Sequence, residues 1–230
     1  MRINKLLSNY GYCSRKEANN IINDKRVIVN GKLCIKGQWV EESDDILLDN
    51  KPLVKKEKVY IALNKPRGIT CTAANDVKDN IIDYLNYKDY VFPVGRLDKE
   101  SEGLILLTND GDLANMIIES EYGHEKEYIV VVDKDITEDF ILNMANGVDI
   151  KDAVTKPCKI YKLNDNTFRI ILTQGLNRQI RKMCKALRYN VIKLQRVRIL
   201  NILLDNIPYG EWRNLSKDEV DKLKDICNAK

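Results

Sequence analysis

The residues best suited to chemistry sit together in the stretch VGRLDKESEGLILL (94–107). Arg96, Asp98, Lys99, Glu100 and Glu102 crowd one short segment, and Leu104, Ile105, Leu106 and Leu107 follow as an unbroken apolar run. Four apolar residues closed by Thr108-Asn109-Asp110-Gly111 have the length and punctuation of a buried strand. A loop anchored on such a strand holds a carboxylate nearly fixed, which suits Asp98 to acid, base or nucleophilic work. Asp98 with Glu100 or Glu102 also has the composition of a carboxylate pair that hydrolyses glycosidic bonds. By itself, though, the stretch reads as a solvated polar loop with ordinary ion pairs. The elements around it must decide.

A chain of 230 residues, 44% hydrophobic, has material for one large domain or two smaller ones. No apolar run approaches the roughly 20 residues of a membrane span, and MRINKLLSNYGYCSRKE (1–17) lacks an apolar signal segment. A cytoplasmic protein with no membrane partner is expected. The six cysteines include no C-x-x-C pair and the chain has a single histidine, His124. No metal site is expected, the cysteines are read as reduced packing residues, and His124 as structural.

The net charge of +4 conceals two basic regions. Residues 1–40 carry eight Lys/Arg against two acids, and residues 174–198 carry eight against none, so the rest of the chain is net acidic. Concentrated positive charge on an acidic background is the footprint of a polyanion-binding protein. A ribosome-associated RNA binder without catalytic activity would satisfy this pattern, with Asp98 merely structural.

The positioning elements can be read in order. Residues 3–9 predict a short helix ended by Gly11. Ser14 and Glu17 have capping-box spacing for a second helix that buries Ala18, Ile21 and Ile22 and leaves Arg15 and Lys16 exposed. Residues 27–29 and 32–34 flank Asn30-Gly31, a strong hairpin signal, and a further strand pair is expected around Asp49-Asn50. Residues 59–63 predict a strand stopped by the turn 64–68. Asp112 is the expected N-cap of a helix over 113–118, residues 125–132 a well-buried strand with Tyr128 near its start, and 137–146 a helix closed by Gly147. In the last basic region, Leu176, Ile180, Met183 and Leu187 form one helical stripe, with Arg178, Arg181, Lys182, Lys185 and Arg188 on the other faces. Those cations lack acid partners within the segment, so an external anion is expected to compensate them. Strands are predicted over 191–194 and 197–200, with Arg196 and Arg198 on alternate positions.

RINKLLSNYGYCSRKEANNIINDKRVIVNGKL (2–33) resembles the small RNA-binding domain first described in ribosomal protein S-four. That resemblance implies phosphate contacts from Arg2, Lys5, Arg15, Lys16 and Arg26. GRLDKESEGLILLTNDGD, HEKEYIV, and QGLNRQIRKMC followed by KLQRVRI are similar, in the same order, to the motifs of the pseudouridine synthases of the RsuA/RluB/RluE/RluF group. SEGL, HEKEY and YGEWRNL are most similar to the RluF branch, whose members modify 23S rRNA.

The resemblance implies an α+β architecture. Residues 1–48 would be the RNA-binding domain and 49–58 a linker. Residues 59–230 would be a catalytic domain on a mainly antiparallel mixed sheet with flanking helices. It implies cofactor-free isomerisation of uridine, with 23S rRNA or a large-subunit precursor as partner and the protein acting as a monomer. Asp98 would be the essential aspartate, Arg181 its basic partner, and Tyr128 the residue stacked on the base. Arg96 would hold the space vacated by a flipped nucleotide, and Leu194 would pack beneath the site. Asn177 and Arg178 would bind substrate, and Lys182 and Lys185 would join the RNA contacts. Nothing in residues 72–90 carries a recognised role.

Overall fold

A computed structural model of the chain describes residues 1–74, 77–119 and 123–229. Two helices, α1 (Ile3–Asn9) and α2 (Arg15–Asn23), open the chain and pack on a four-stranded antiparallel sheet. Its strands are β1 (Val27–Val29), β2 (Lys32–Leu33), β3 (Ile46–Leu48) and β4 (Lys51–Pro52), ordered β2-β1-β3-β4. The capping box forms as expected: Ser14 Oγ accepts from Glu17 N at 3.1 Å and Ser14 N donates to Glu17 Oε2 at 2.8 Å. Asn30 and Gly31, and Asp49 and Asn50, all take positive φ, which lets two-residue turns match the twist of their strands. The second of these hairpins carries residues 51–52 into the N-terminal sheet, so only 53–59 lie between the two sheets without helix or strand. Asn109, buried, stitches that segment down by accepting from Val59 N at 2.9 Å and donating to Glu57 O at 2.8 Å.

The larger sheet holds β5 (Tyr60–Lys65), β6 (Phe92–Val94), β7 (Glu102–Thr108), β8 (Lys126–Val132), β9 (Lys159–Asn164), β10 (Thr167–Leu172), β11 (Val191–Ile199), β12 (Ile202–Leu203) and β13 (Trp212–Asn214). Its order is β13-β5-β7-β11-β8-β10-β9, with β6 on β7 and β12 on β11. The β7–β11 pair is parallel and the other pairings are antiparallel. Around it lie α3 (Ile81–Leu85), α4 (Gly111–Ile118), α5 (Glu138–Asn146), α6 (Gln179–Ala186) and α7 (Lys217–Asn228). The fold is α+β. β7 is buried on both faces: Leu104 and Leu106 meet the residues of α4 and α7, while Ile105 and Leu107 meet those of α3. That two-sided burial is why its sequence is an unbroken apolar run.

Several boundaries differ from expectation for identifiable reasons. β5 continues through Asn64 and Lys65, where a turn is expected, because Asn64 Nδ2 donates to Ile207 O at 2.8 Å and the buried Lys65 Nζ donates to Pro66 O and Ile69 O at 2.8 and 2.9 Å. The N-cap of α4 is Asp110, whose carboxylate accepts from Leu113 N; Asp112 lies in the first turn. β8 is half-buried, with Val130 and Val132 the residues fully inside. α6 begins only at Gln179, and Leu176 and Arg178 precede it. β11 is one strand with two bulges, not two strands. Helix α7 starts in a capping box of Ser216 and Glu219, an S-x-x-E signal present in the sequence and unused above.

Candidate active site

Asp98 lies in the loop between β6 and β7, and that loop is tied down at several points. Gly95 supplies a positive φ at its start, and the buried Leu97 anchors its middle, with Leu97 N donating to Cys71 Sγ. Gly68 N donates to Lys99 O at 2.8 Å, and Ser101 N to Asp98 O at 3.0 Å. The carboxylate is thereby presented on a tied-down backbone at the mouth of a strand buried along its whole length.

The loop forms one wall of a cavity of about 520 Å³, a size that suits a nucleotide-scale ligand. Arg96, Asp98, Tyr128, Asn177, Arg178 and Leu194 all line it, so six of the expected site residues converge from four separate segments. Among the described lining residues Asp98 is the one acid, against Arg96, Lys126, Arg178 and Arg196. Arg181 stands behind Asp98, its Nε 4.0 Å from Oδ2 and without a hydrogen-bond partner. Its Nη2 holds the same loop, donating to Ser101 Oγ at 3.3 Å and to Glu100 O at 3.4 Å, while Nη1 donates to Val191 O at 3.4 Å. The guanidinium therefore both faces the carboxylate and braces the backbone that carries it.

The paired-carboxylate reading loses its second member. Glu100 is taken by Arg178 at 3.0 Å, whose hydrogen bond holds it below the usual carboxylate range, and Glu102 is buried against Lys193 at 2.9 Å. Neither lines the cavity. The expectation that the basic helix lacks acid partners is also corrected. Arg178 meets Glu100, Arg181 meets Asp98 and Lys182 meets Asp152 at 2.6 Å, with partners drawn from segments about 30 to 80 residues away.

Among the expected RNA contacts, Arg2, Arg15 and Lys16 are exposed and Lys5 half-buried on the N-terminal module, while Lys185 is exposed on α6. Arg15 and Lys16 occupy the first turn of α2, where positive charge opposes the helix dipole. An anionic partner would relieve that opposition. Arg26 is engaged by Asp49 through two hydrogen bonds of 2.6 and 2.7 Å and Lys182 by Asp152, so both would have to exchange these partners to reach phosphate.

Sequence reading missed three basic residues at the site. Arg196 is 3% exposed, lines the cavity and donates from Nε to Leu104 O at 2.7 Å, while its buried Nη2 has no partner. A bulge separates it from Arg198: Arg196 pairs with Tyr128 but Arg198 with Glu127, which puts the two arginines on opposite faces of the sheet. Arg198 accordingly binds Glu125 and Glu127 at 2.9 and 2.8 Å, away from the cavity. Lys65, completely buried, lies within electrostatic reach of Asp98 and Glu102, and its desolvation lowers its pKa. The signal for Lys65 was a charged residue directly continuing an apolar strand. Lys126, the third, lines the cavity two residues before Tyr128. Buried His124 donates from Nδ1 to Ile117 O at 3.3 Å.

A family model described as RNA pseudouridylate synthase matches residues 59–186, the segment that carries the whole cavity loop, Tyr128 and all of α6. The chain belongs to the RNA pseudouridylate synthase family. The synthase also matches the S4 domain model over residues 1–46. It is 49% identical to the dual-specificity RNA pseudouridine synthase RluF of Escherichia coli strain K12, over 100% of this chain and 80% of that protein. It is 30% identical to the ribosomal large subunit pseudouridine synthase B of Bacillus subtilis, over 99% and 97%. A crystal structure of a pseudouridylate synthase superposes with a TM-score of 0.71 at 29% identity, covering 97% of this chain and 99% of that one. The synthase is thus an RNA-acting isomerase with an N-terminal S4 domain. Among the described residues no helix is long and apolar enough to cross a membrane.

Proposed function

We propose that this synthase converts uridine to pseudouridine at defined positions of 23S ribosomal RNA, or of a large-subunit precursor, acting in the cytoplasm as a monomer. The N-terminal module, residues 1–52, would grip the RNA and 60–230 perform the reaction, joined by 53–59. The observation that carries the reading is the convergence of Asp98 and Tyr128 from remote segments on one basic cavity, with Arg181 from a third segment directly behind Asp98.

In this reading a uridine leaves its stack, at a cost of a few kcal/mol, and enters the cavity while Arg96 holds the space it vacates. The C1′–N1 bond breaks and its electron pair stays with the uracil. Asp98 answers the electron demand at the sugar, by bonding C1′ or by accepting the C2′ proton. Arg181 holds the carboxylate in position. The uracil turns over against Tyr128 and Leu194, C5 bonds to C1′ as the Asp98–C1′ bond breaks or the C2′ proton is returned, and loss of the C5 proton, with Tyr128 as acceptor, together with protonation of N1 restores the ring. Asn177 and Arg178 would hold the nucleotide at the rim. Because atoms and electrons balance within the uridine, no cofactor is required.

Mapping pseudouridines in rRNA from cells with and without the protein tests substrate and activity together. The expected result is the loss of one or a few 23S sites; an unchanged map would remove the proposal. The RNA grip has a separate test. Each phosphate contact contributes about 0.7–0.9 to the slope of log affinity against log salt. Replacing Arg2, Arg15 and Lys16 with alanine should weaken binding to 23S rRNA and flatten that slope by about two units. An unaltered slope would exclude this face of the S4 domain as a phosphate-binding surface.

A further inference from the structure

Lys126 is a cation with no structural occupation. It begins β8, with Leu172 on β10 and Ile199 on β11 as its register partners, both buried and apolar. Its ammonium has one hydrogen bond, a long one of 3.5 Å to His124 O, and pairs with no carboxylate among the described residues. An ammonium between apolar walls is costly unless something else uses it. What it faces is the cavity, on the same side of β8 as Tyr128 and about 7 Å along the strand. A uracil stacked on Tyr128 would present a carbonyl edge within reach of a lysine side chain.

We infer that Lys126 is a catalytic residue that donates a hydrogen bond from its ammonium to a uracil carbonyl oxygen and stabilises the base while it is detached from the sugar. This rests on the pseudouridylation reading and identifies a need that Asp98, Arg181 and Tyr128 do not meet. When C1′–N1 breaks, the bonding pair is delocalised from N1 over the two carbonyl oxygens. The departing base is therefore an anion within the cavity. Asp98, itself negative, cannot stabilise it, and Arg181 is committed to Asp98. A fixed ammonium aimed at the growing charge stabilises the separated state and costs no reorganisation. When C5 bonds to C1′ the base's electron pair is spent in the new bond, and passage of the C5 proton to N1 restores the ring without a net change of charge, so Lys126 ends the cycle protonated as it began.

Burial, and then the neighbouring Arg196 charge, hold Lys126 below the ordinary lysine range. The protonated form is the active one, so the rate should fall on the alkaline side at a lower pH than a free lysine would give. The charged or titratable groups sharing the cavity are Arg96 and Asp98 from the β6–β7 loop, Arg178 at the start of α6, Arg196 on β11 and Tyr128 on β8. Substitution of Lys126 separates its contribution to the pH profile from theirs.

The test uses the full-length protein with in vitro transcribed 23S rRNA under single-turnover conditions. Lys126→Met should slow isomerisation about 100-fold, the scale of losing one preorganised donor, with RNA affinity changed less than about threefold. Lys126→Arg should recover at least about tenfold of that loss, and its alkaline limb should move to higher pH because a guanidinium does not deprotonate there. An unimpaired Lys126→Met, a loss confined to affinity, or a limb that stays put in Lys126→Arg would each overturn the inference. Wild-type protein that forms no pseudouridine would overturn both this inference and the reading beneath it, and so is distinguishable from failure of Lys126 alone.

Discussion

Asp98→Asn should reduce pseudouridine formation by about 10³-fold or more while RNA binding is retained or slightly strengthened. The substitution keeps the shape of the side chain, so the loop tied by Leu97, Gly68 and Ser101 keeps its path. What it removes is the single carboxylate among the described residues lining a cavity otherwise furnished with cations. Loss of one negative charge facing a polyanion favours binding by Coulomb attraction, which fixes the sign of the affinity change. Activity and affinity therefore move in opposite directions. Measuring both on 23S rRNA separates this synthase from a non-catalytic RNA binder, for which Asp98 has no product to lose. Undiminished product from the variant would sink the assignment of Asp98.

Gly103→Ala should destabilise the catalytic domain by about 4 kcal/mol or more, the range reserved for substitutions with a named steric cause. Gly103 has φ +100, and a Cβ there would overlap the carbonyl oxygen of Arg196 and come within 2.8 Å of Arg196 N. Both atoms belong to the backbone of β11, which cannot step aside without breaking the parallel β7–β11 pairing of Gln195 and Arg196 with Glu102 and Gly103. With about 2–4 °C per kcal/mol for a chain of this size, the melting temperature should fall by about 10 °C or more. Gly111→Ala provides the control, since Gly111 lies in a helix without positive φ and the nearest atom to its Cβ, Asn9 Oδ1, is 3.8 Å away. Equal melting temperatures for the two variants would refute the steric argument. The glycine of the SEGL motif is thus explained by close backbone approach, next to the arginine that floors the cavity.

Local regularities carried most of the secondary structure. The Ser14/Glu17 capping box, the Asn30-Gly31 and Asp49-Asn50 turns, Gly147 at the end of α5, and the apolar run 104–107 each encode their element within a few residues, because caps, turns and burial periodicity act over that distance. The identity of Asp98, Tyr128, Arg181, Arg96 and Leu194 as a group was legible through resemblance, since motif order survives in the chain. The charge asymmetry between the two basic regions and the acidic remainder was legible from composition alone.

What the sequence could not determine by itself was which charges meet. Arg178, Arg181 and Lys182 lacked partners within their own segment, and only folding brought Glu100, Asp98 and Asp152 to them. Arg196 and Arg198 look equivalent at alternate positions until the bulge between them sends one into the cavity and the other to Glu125 and Glu127. Lys65 looked like a turn residue and is wholly buried, because the carbonyls of Pro66 and Ile69 satisfy its ammonium. Helix and strand periods are properties of neighbouring residues, whereas the burial and pairing of a charge depend on strands and loops up to about 80 positions away. The sequence determined the elements and the candidate catalytic group; the tertiary structure decided which side of the sheet, and which partner, each charged residue received.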